Sequence, residues 1–257
     1  MQQFHPFNKL KDCRYGKMLF NENDLYIGRS FDLYGEFSEL EVEPFKQFVK
    51  LGNVVVDIGA NIGAHTLLLA QLVGPSGRVL AFEPQRIVFQ TLCANMALNS
   101  VTNTQCFQYA LGEETGETKI PLLDYTKQAN FGGLDIEQFK QGESTPLMTL
   151  DSFNLQQCNF IKIDVEGMEE KVLKGASKTI QQFRPFMLVE NDRKEKSESL
   201  IQFLKSLNYR LYWFRPPMFN PNNFFNNPEN AFGNIVSINM LCIPEVFKVV
   251  IEGLEEV

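Results

Sequence analysis

The chain has 257 residues, of which 44% are hydrophobic and 21% charged, and its net charge is −7. This composition is typical of a folded globular protein and excludes a largely disordered chain. The acidic balance disfavours binding to nucleic acid, which needs clustered lysine and arginine, and no stretch approaches the ~20 apolar residues that span a bilayer. We therefore expect a cytoplasmic protein that contacts neither nucleic acid nor membrane.

The five cysteines lie far apart and form no CxxC pair. This spacing lacks the pattern of a structural zinc site. We expect reduced and mostly buried thiols.

The N-terminal residues 1–35 differ from the rest of the chain. KMLF at 17–20 and LYIG at 25–28 are separated by four polar residues, which predicts a small β-hairpin extension. Apolar side chains near helical spacing predict a helix over 36–50. A larger domain then covers residues 36–257.

From residue 53 onward, short β-rich apolar runs alternate with amphipathic stretches. This alternation predicts a parallel sheet wrapped by helices. The predicted strands are 54–59, 78–83, 104–111, 160–164, 185–190, 209–214 and 234–243. The main predicted helices are 64–73, 85–98, 169–176 and 195–207.

The segment DIGANIG, residues 57–63, lies between the first of these strands and a helix. Gly59 and Gly63 permit a tight turn and a close approach of the main chain to a ligand. The segment is not the dinucleotide fingerprint, because Asn61 replaces the required glycine and Asp57 would put a carboxylate near a pyrophosphate. An acid at this position favours a ligand with a cationic group, and S-adenosylmethionine carries both an ammonium and a sulfonium.

Further acids end the neighbouring strands. Glu83 follows Gly63 by twenty residues, where a nucleotide-binding α/β fold places an acid that accepts hydrogen bonds from ribose hydroxyls. Asp164 and Glu190 end later strands, so all these carboxylates meet at one edge of the sheet. A divalent metal site is the alternative. We expect no metal, since the S-adenosylmethionine interpretation already uses two of the acids.

Two further positions have competing interpretations. His65 approaches the acceptor as a base, since imidazole titrates near neutrality, or it is a packing residue in the first helical turn. Asn95 and Asn99 lie four residues apart on one helix, and we interpret them as a polar helix face or cap.

Four segments together resemble the FkbM-type S-adenosylmethionine-dependent methyltransferases: VVVDIGANIGAHT, VLAFEPQ, YALGEETG and FIKIDVEGMEEKVLKGA. The resemblance covers about residues 36–243. It implies the class I methyltransferase fold, a Rossmann-like α/β architecture with helices on both faces of a seven-stranded sheet. The implied strand order is 3-2-1-4-5-7-6, with strand seven antiparallel. Met168 is a departure, because many family members carry histidine there.

The resemblance also implies roles for individual residues. The residues implied to bind the cofactor are Asp57, Gly59, Asn61 and Gly63 at the methionine end, Glu83 at the ribose, Tyr109, Ala110 and Leu111 beside the adenine, and Asp164. Facing the methyl-transfer site are Asp164, Glu166 and Gly167. The candidate catalytic bases are Glu166, Asp164, Glu190 and His65, of which we rank Glu166 first and Asp164 second.

The expected activity is O-methylation of a hydroxyl on a sugar or another small molecule by in-line displacement, for which orientation supplies much of the rate. One alternative is a catalytically silent binding module of the same fold. Another is a nicotinamide-dependent oxidoreductase, against which Asp57 and Asn61 argue. The oligomeric state is left open.

In the implied sheet, residues 215–233 start beside the site. Their prolines, asparagines and phenylalanines indicate an ordered loop, since disordered segments are poor in aromatic residues. We expect this loop to form a wall or lid of the acceptor pocket, with Arg215 and the asparagines as hydrogen-bond donors.

Overall fold

The computed structural model describes residues 6–257. The strands are β1 (Asn8–Cys13), β2 (Gly16–Asn21), β3 (Val54–Ile58), β4 (Arg78–Phe82), β5 (Thr104–Phe107), β6 (Ala110–Leu111), β7 (Gly116–Ile120), β8 (Glu143–Met148), β9 (Phe160–Ile163), β10 (Phe186–Glu190), β11 (Tyr209–Phe214), β12 (Asn239–Pro244) and β13 (Glu255–Glu256). The α-helices are α1 (Ile27–Tyr34), α2 (Glu43–Phe48), α3 (Ala64–Val73), α4 (Arg86–Leu98), α5 (Glu169–Lys174), α6 (Ser177–Phe183) and α7 (Lys194–Ser206). Short 3-10 turns occupy Glu39–Val42, Ile136–Gln138 and Leu150–Phe153.

The central sheet has eight strands in the order β13-β11-β12-β10-β9-β3-β4-β5. Strand β12 runs antiparallel to both β10 and β11, and the pairs from β10 through β9, β3 and β4 to β5 are parallel. The expected count of seven strands is one too low, because β13 adds to the outer edge of β11. If β13 is left out and the seven predicted strands are numbered along the chain, their order across the sheet from β5 to β11 is 3-2-1-4-5-7-6.

Helices cover both faces of this sheet. On β3, Val55 packs with α2 and α3, and its neighbour Val56 packs with α5, α6 and α7 on the opposite face. Successive strand residues point to opposite faces, so a strand that is apolar at each position is buried on both sides. The VVV run at 54–56 is therefore the sequence signature of a central strand.

The N-terminal prediction needs correction. The hairpin pairs β1 with β2, from Asn8 opposite Asn21 to Cys13 opposite Gly16, so residues 25–28 are not its second strand. Residues 27–34 instead form α1, in which Ile27, Phe31 and Tyr34 fall at helical spacing. Residues 1–5 of the predicted extension lie outside the described part.

The side chains of Asn95 and Asn99 hydrogen-bond the hairpin to α4. Asn95 is fully buried, and its amide accepts from the Leu19 main-chain nitrogen at 2.6 Å and donates to the Leu19 and Ile62 carbonyls at 3.0 and 2.8 Å. Asn99, which follows the last residue of α4, makes the same pair of contacts with the main chain of Lys17. These amides pair with β2 as a neighbouring strand would.

The long connection after β5 is more ordered than the sequence indicated. It forms a separate three-stranded sheet in the order β6-β8-β7, and the predicted strand 104–111 is divided between β5 and β6. The predicted helix over 36–50 is likewise divided, into the turn Glu39–Val42 and α2, which carries Pro44 in its first turn. Among residues 6–257, the five cysteines form no disulfide, and no helix is both long and apolar enough to cross a membrane.

Candidate active site

The turn after β3 is shaped by close contacts. Gly59 has a φ of 77°, and a Cβ there would lie 1.8 Å from the carbonyl oxygen of Asp164. Only glycine fits, because the chain leaving β9 passes directly against this turn. Gly63, with a φ of 87°, lies against Leu92 of α4, where a Cβ would come within 2.7 Å of the leucine side chain. Gly63 therefore serves the contact between α3 and α4.

Asp57 lies beneath this turn and is fully buried. Its Oδ2 accepts a hydrogen bond from Thr66 at 2.7 Å, and the ammonium of buried Lys162 lies 3.5 Å from its Oδ1. The structure thus places Asp57 in a buried ion pair with Lys162 below the turn.

Glu83 links the turn to the end of β4. One carboxylate oxygen accepts from the main-chain nitrogen of Asn61 at 3.0 Å, and the other accepts from that of Gln85 at 2.8 Å. Burial raises the pKa of this carboxyl to about 7. Each oxygen keeps a second lone pair for a ligand hydroxyl.

Two adjoining cavities open at this edge of the sheet. A narrow pocket of about 50 Å³ is walled by Phe82, the segment 109–111 and Met168. A larger cavity of about 400 Å³ extends from it toward α1 and β12. Residues lining both are Gly59, Glu83, Gly132, Asp164 and Glu166.

Three carboxylates meet at this junction, since Asp164, Glu166 and Glu190 each bring an oxygen within 4.8 Å of the others. Asp164 pairs with Lys162 at 3.1 Å, and Glu166 pairs with Arg193. Burial and the neighbouring Asp164 raise the pKa of Glu166 to about 8 and hold that of Glu190 well above its ordinary value. Within the described residues, the buried Oε2 of Glu190 has no hydrogen-bond partner.

His65 lines the larger cavity but sits in apolar surroundings. Its ring lies 5.9 Å from that of Phe37 and 5.3 Å from that of Phe45. Burial, followed by the charge of Lys162, lowers the pKa of the imidazole to about 3. A neutral imidazole of such low basicity is a poor proton acceptor, so the structure argues against His65 as the catalytic base.

Several lining residues were missed in the sequence. Glu41 comes from the N-terminal 3-10 turn, and Ser237 and Asn239 come from the approach to β12. The residues 130–133 fold over Asn61, and Gln85 donates to the Phe131 carbonyl at 2.7 Å. The Asn-Phe-Gly-Gly sequence at 130–133 was a signal in the sequence for a turn close to the site, whereas nothing in the sequence around Glu41 pointed to the site.

The segment 215–233 only partly meets its expected role. Met218 lines the larger cavity, and Phe219 and Phe232 pack on Tyr34 of α1, with ring centres 5.4 and 5.8 Å apart. The segment therefore supports α1, whose start lines the cavity. Arg215 pairs with Glu255 at 3.2 Å and lines neither cavity, so the structure gives no support to its expected role.

The comparisons with known proteins agree with this geometry. Residues 57–211 match the family described as Methyltransferase FkbM domain. The chain belongs to the FkbM family of methyltransferases. Among solved structures, a Methyltransferase FkbM from Methylobacillus flagellatus shares the fold at a TM-score of 0.51 and 19% identity, covering 74% of this chain and 43% of that one.

Two curated relatives of this FkbM-family chain are more similar in sequence. Methyltransferase 1 of Beauveria bassiana is 29% identical over 178 residues, which cover 61% of this chain and 66% of the relative. Hexuronic acid methyltransferase AglP of Haloferax volcanii is 29% identical over 169 residues, which cover 64% and 65%. The chain thus spans slightly less than two thirds of the length of these relatives.

Proposed function

We propose that the protein transfers the methyl group of S-adenosylmethionine to a hydroxyl oxygen of a small molecule, of which a sugar is the favoured class. One observation carries the proposal: the three carboxylates at the cavity junction, one of which has an oxygen with no hydrogen-bond partner among residues 6–257. The relative named for hexuronic acid supports a sugar as acceptor.

The residues at the site fit the cofactor. The narrow pocket between Phe82, Met168 and the segment 109–111 suits a flat adenine, and the outward lone pairs of Glu83 suit the ribose hydroxyls. Gly59 and Asn61 line the larger cavity beside the junction, where the methionine end of the cofactor would lie. When bound, S-adenosylmethionine supplies a methyl group on a positively charged sulfur.

Glu190 is the base that the geometry favours, ahead of the predicted Glu166 and Asp164. Those two carboxylates are neutralised by Arg193 and Lys162, whereas one oxygen of Glu190 finds no partner in the described chain. The hydroxyl of an acceptor becomes acidic as its oxygen attacks, and Glu190 takes that proton. Burial raises the pKa of Glu190, and a carboxylate with a raised pKa is a stronger base than an ordinary one.

The test combines binding with transfer. Calorimetry should show that S-adenosylhomocysteine binds and NADH does not. Transfer from radiolabelled S-adenosylmethionine to a panel of hydroxylated acceptors then measures activity. Glu190→Gln should lower transfer about 10²-fold, the scale of general base catalysis, with little change in S-adenosylhomocysteine affinity.

The matched control is Glu198→Gln on the exposed face of α7, which should behave as the parent protein. Transfer by Glu190→Gln at the parental rate would reject Glu190 as the base. Binding of S-adenosylhomocysteine without transfer to any hydroxylated acceptor would favour the silent binding module.

A further inference from the structure

Buried polar atoms without hydrogen-bond partners are concentrated in residues that line the larger cavity. Residues 6–257 contain seven buried side-chain atoms without a hydrogen-bond partner, and four of them belong to residues that line this cavity. These four are His65 Nε2, Glu190 Oε2, Asp192 Oδ1 and Asn239 Nδ2. Leaving such atoms unpaired costs about 1–3 kcal/mol each, so a ligand that pairs with them is favoured.

The residues that carry these atoms come from separate parts of the fold. His65, 6% exposed, lies in the first turn of α3, and Asn239, 4% exposed, begins β12. Glu41 joins them from the N-terminal 3-10 turn, where Ser237 donates to its Oε2 at 2.7 Å. Together they line the cavity with an imidazole, an amide and a carboxyl, groups that pair with hydroxyls.

The charge of the cavity restricts its occupant. Carboxyl groups outnumber cations here: Lys162 is the cation that lines the cavity within the described chain, and Arg193, which does not line it, pairs with Glu166 and Asp192. The lining carboxyl groups beyond Glu83 are Glu41, Asp164, Glu166, Glu190 and Asp192. A further carboxylate brought by an acceptor would meet repulsion that burial strengthens.

The same acids are suited to an uncharged partner. Burial, followed by the charge of Asp164, raises the pKa of Glu41 to about 7 and that of Glu166 to about 8. Near neutral pH, each of these carboxyl groups is therefore protonated in some molecules and ionised in others. A carboxyl of this kind both donates and accepts hydrogen bonds, as a hydroxyl does.

We propose that the acceptor is a neutral, polyhydroxylated molecule held by Glu41, His65 and Asn239, and that acceptors carrying a carboxylate are rejected. This inference rests on the proposed function, since it names the substrate class for the same site, and it separates this chain from the relative named for a hexuronic acid, a sugar that carries a carboxylate. It also assigns His65 a place in acceptor recognition instead of proton transfer.

The experiment measures binding to the protein loaded with S-adenosylhomocysteine. The probes are methyl glycosides of gluco, galacto and manno configuration, each with its 6-carboxylate and its 6-amine. Saturation-transfer NMR and calorimetry should find binding among the neutral members. The carboxylate of any binder should bind at least about tenfold more weakly, the effect of one uncompensated like charge.

Variants test the named residues. Asn239→Leu should lose neutral binding and keep the affinity for S-adenosylhomocysteine. Glu41→Gln should reduce the preference for neutral over carboxylated members, because it removes a repelling charge. The exposed Glu114→Gln is the matched control and should leave both properties unchanged.

The inference would be overturned if the carboxylated glycosides bound as tightly as the neutral ones or more tightly. It would also be overturned if the amines bound more tightly than the neutral glycosides, or if no glycoside bound. The proposed function is judged separately. If S-adenosylhomocysteine binds and methyl groups reach carboxylated acceptors, only the acceptor class is wrong. If S-adenosylhomocysteine does not bind, the proposed function itself fails.

Discussion

Replacing Glu83 by alanine removes the side chain that joins the turn after β3 to the proposed ribose site. Both oxygens accept main-chain hydrogen bonds, from Asn61 at 3.0 Å and from Gln85 at 2.8 Å. Asn61 and Gln85 line the two cavities, which are large enough to admit water to the freed N–H groups, so we expect the fold to survive.

The expected loss lies in ligand affinity. Hydrogen bonds to a charged group contribute about 1.5–3 kcal/mol each before the remaining water contacts are counted. For two ribose hydroxyls that partly recover water, we expect a loss of about 1–3 kcal/mol, or about 5- to 150-fold in Kd. Glu83→Gln should fall between the parent and the alanine variant, because it keeps one acceptor oxygen.

Isothermal titration calorimetry with S-adenosylhomocysteine measures this loss, and circular dichroism checks the fold. Because burial raises the pKa of Glu83 to about 7, the ionised form and the parental affinity should both decrease as the pH falls below about 7. Glu83→Gln should lack this part of the pH dependence. Unchanged affinity in a folded Glu83→Ala protein would refute the ribose assignment.

Three other predictions follow from the structure. Asn95→Ala should lower the free energy of unfolding, measured by urea titration, by about 2–3 kcal/mol, because it removes three buried hydrogen bonds. A smaller loss of stability than that of Asn99→Ala would contradict the role of Asn95 in holding the hairpin against α4. Glu41 has its pKa raised from 4.5 to about 7, so the folded state binds the extra proton and the stability from this group decreases as the pH rises between those values. The free energy of unfolding of Glu41→Gln should therefore exceed that of the parent by up to about 3 kcal/mol at pH 8 and by little at pH 4. An equal difference in unfolding free energy at the two pH values would refute the raised pKa of Glu41. Chelation with EDTA should leave methyl transfer intact, because Lys162 and Arg193 already neutralise two of the three clustered acids, whereas activity restored by magnesium would show a metal site.

The central sheet was predictable because its signal is local. Strands such as β3 and β9 are short apolar runs, and an acid at the end of each marks the same edge of the sheet. The placement of Glu83, Asp164 and Glu190 around one site follows from that rule alone.

The remaining features depend on contacts between distant residues. LYIG has the composition of a strand, but the burial of Phe31 and Tyr34 against the rest of the fold favours a helix there. Asp57 has the position of a ligand residue, but Lys162 from β9 pairs with it below the surface. Such pairings are set by tertiary structure, and local spacing does not encode them.

The most direct test of the proposed function follows the methyl group itself. S-adenosylmethionine carrying ¹³C in its methyl group is incubated with the protein and the neutral glycosides, and the product is examined by ¹³C NMR. We predict a resonance of a methyl group bonded to oxygen, correlated with a sugar proton. A methyl group bonded to nitrogen or carbon in the product, or no transfer to any glycoside, would contradict O-methylation of a sugar hydroxyl.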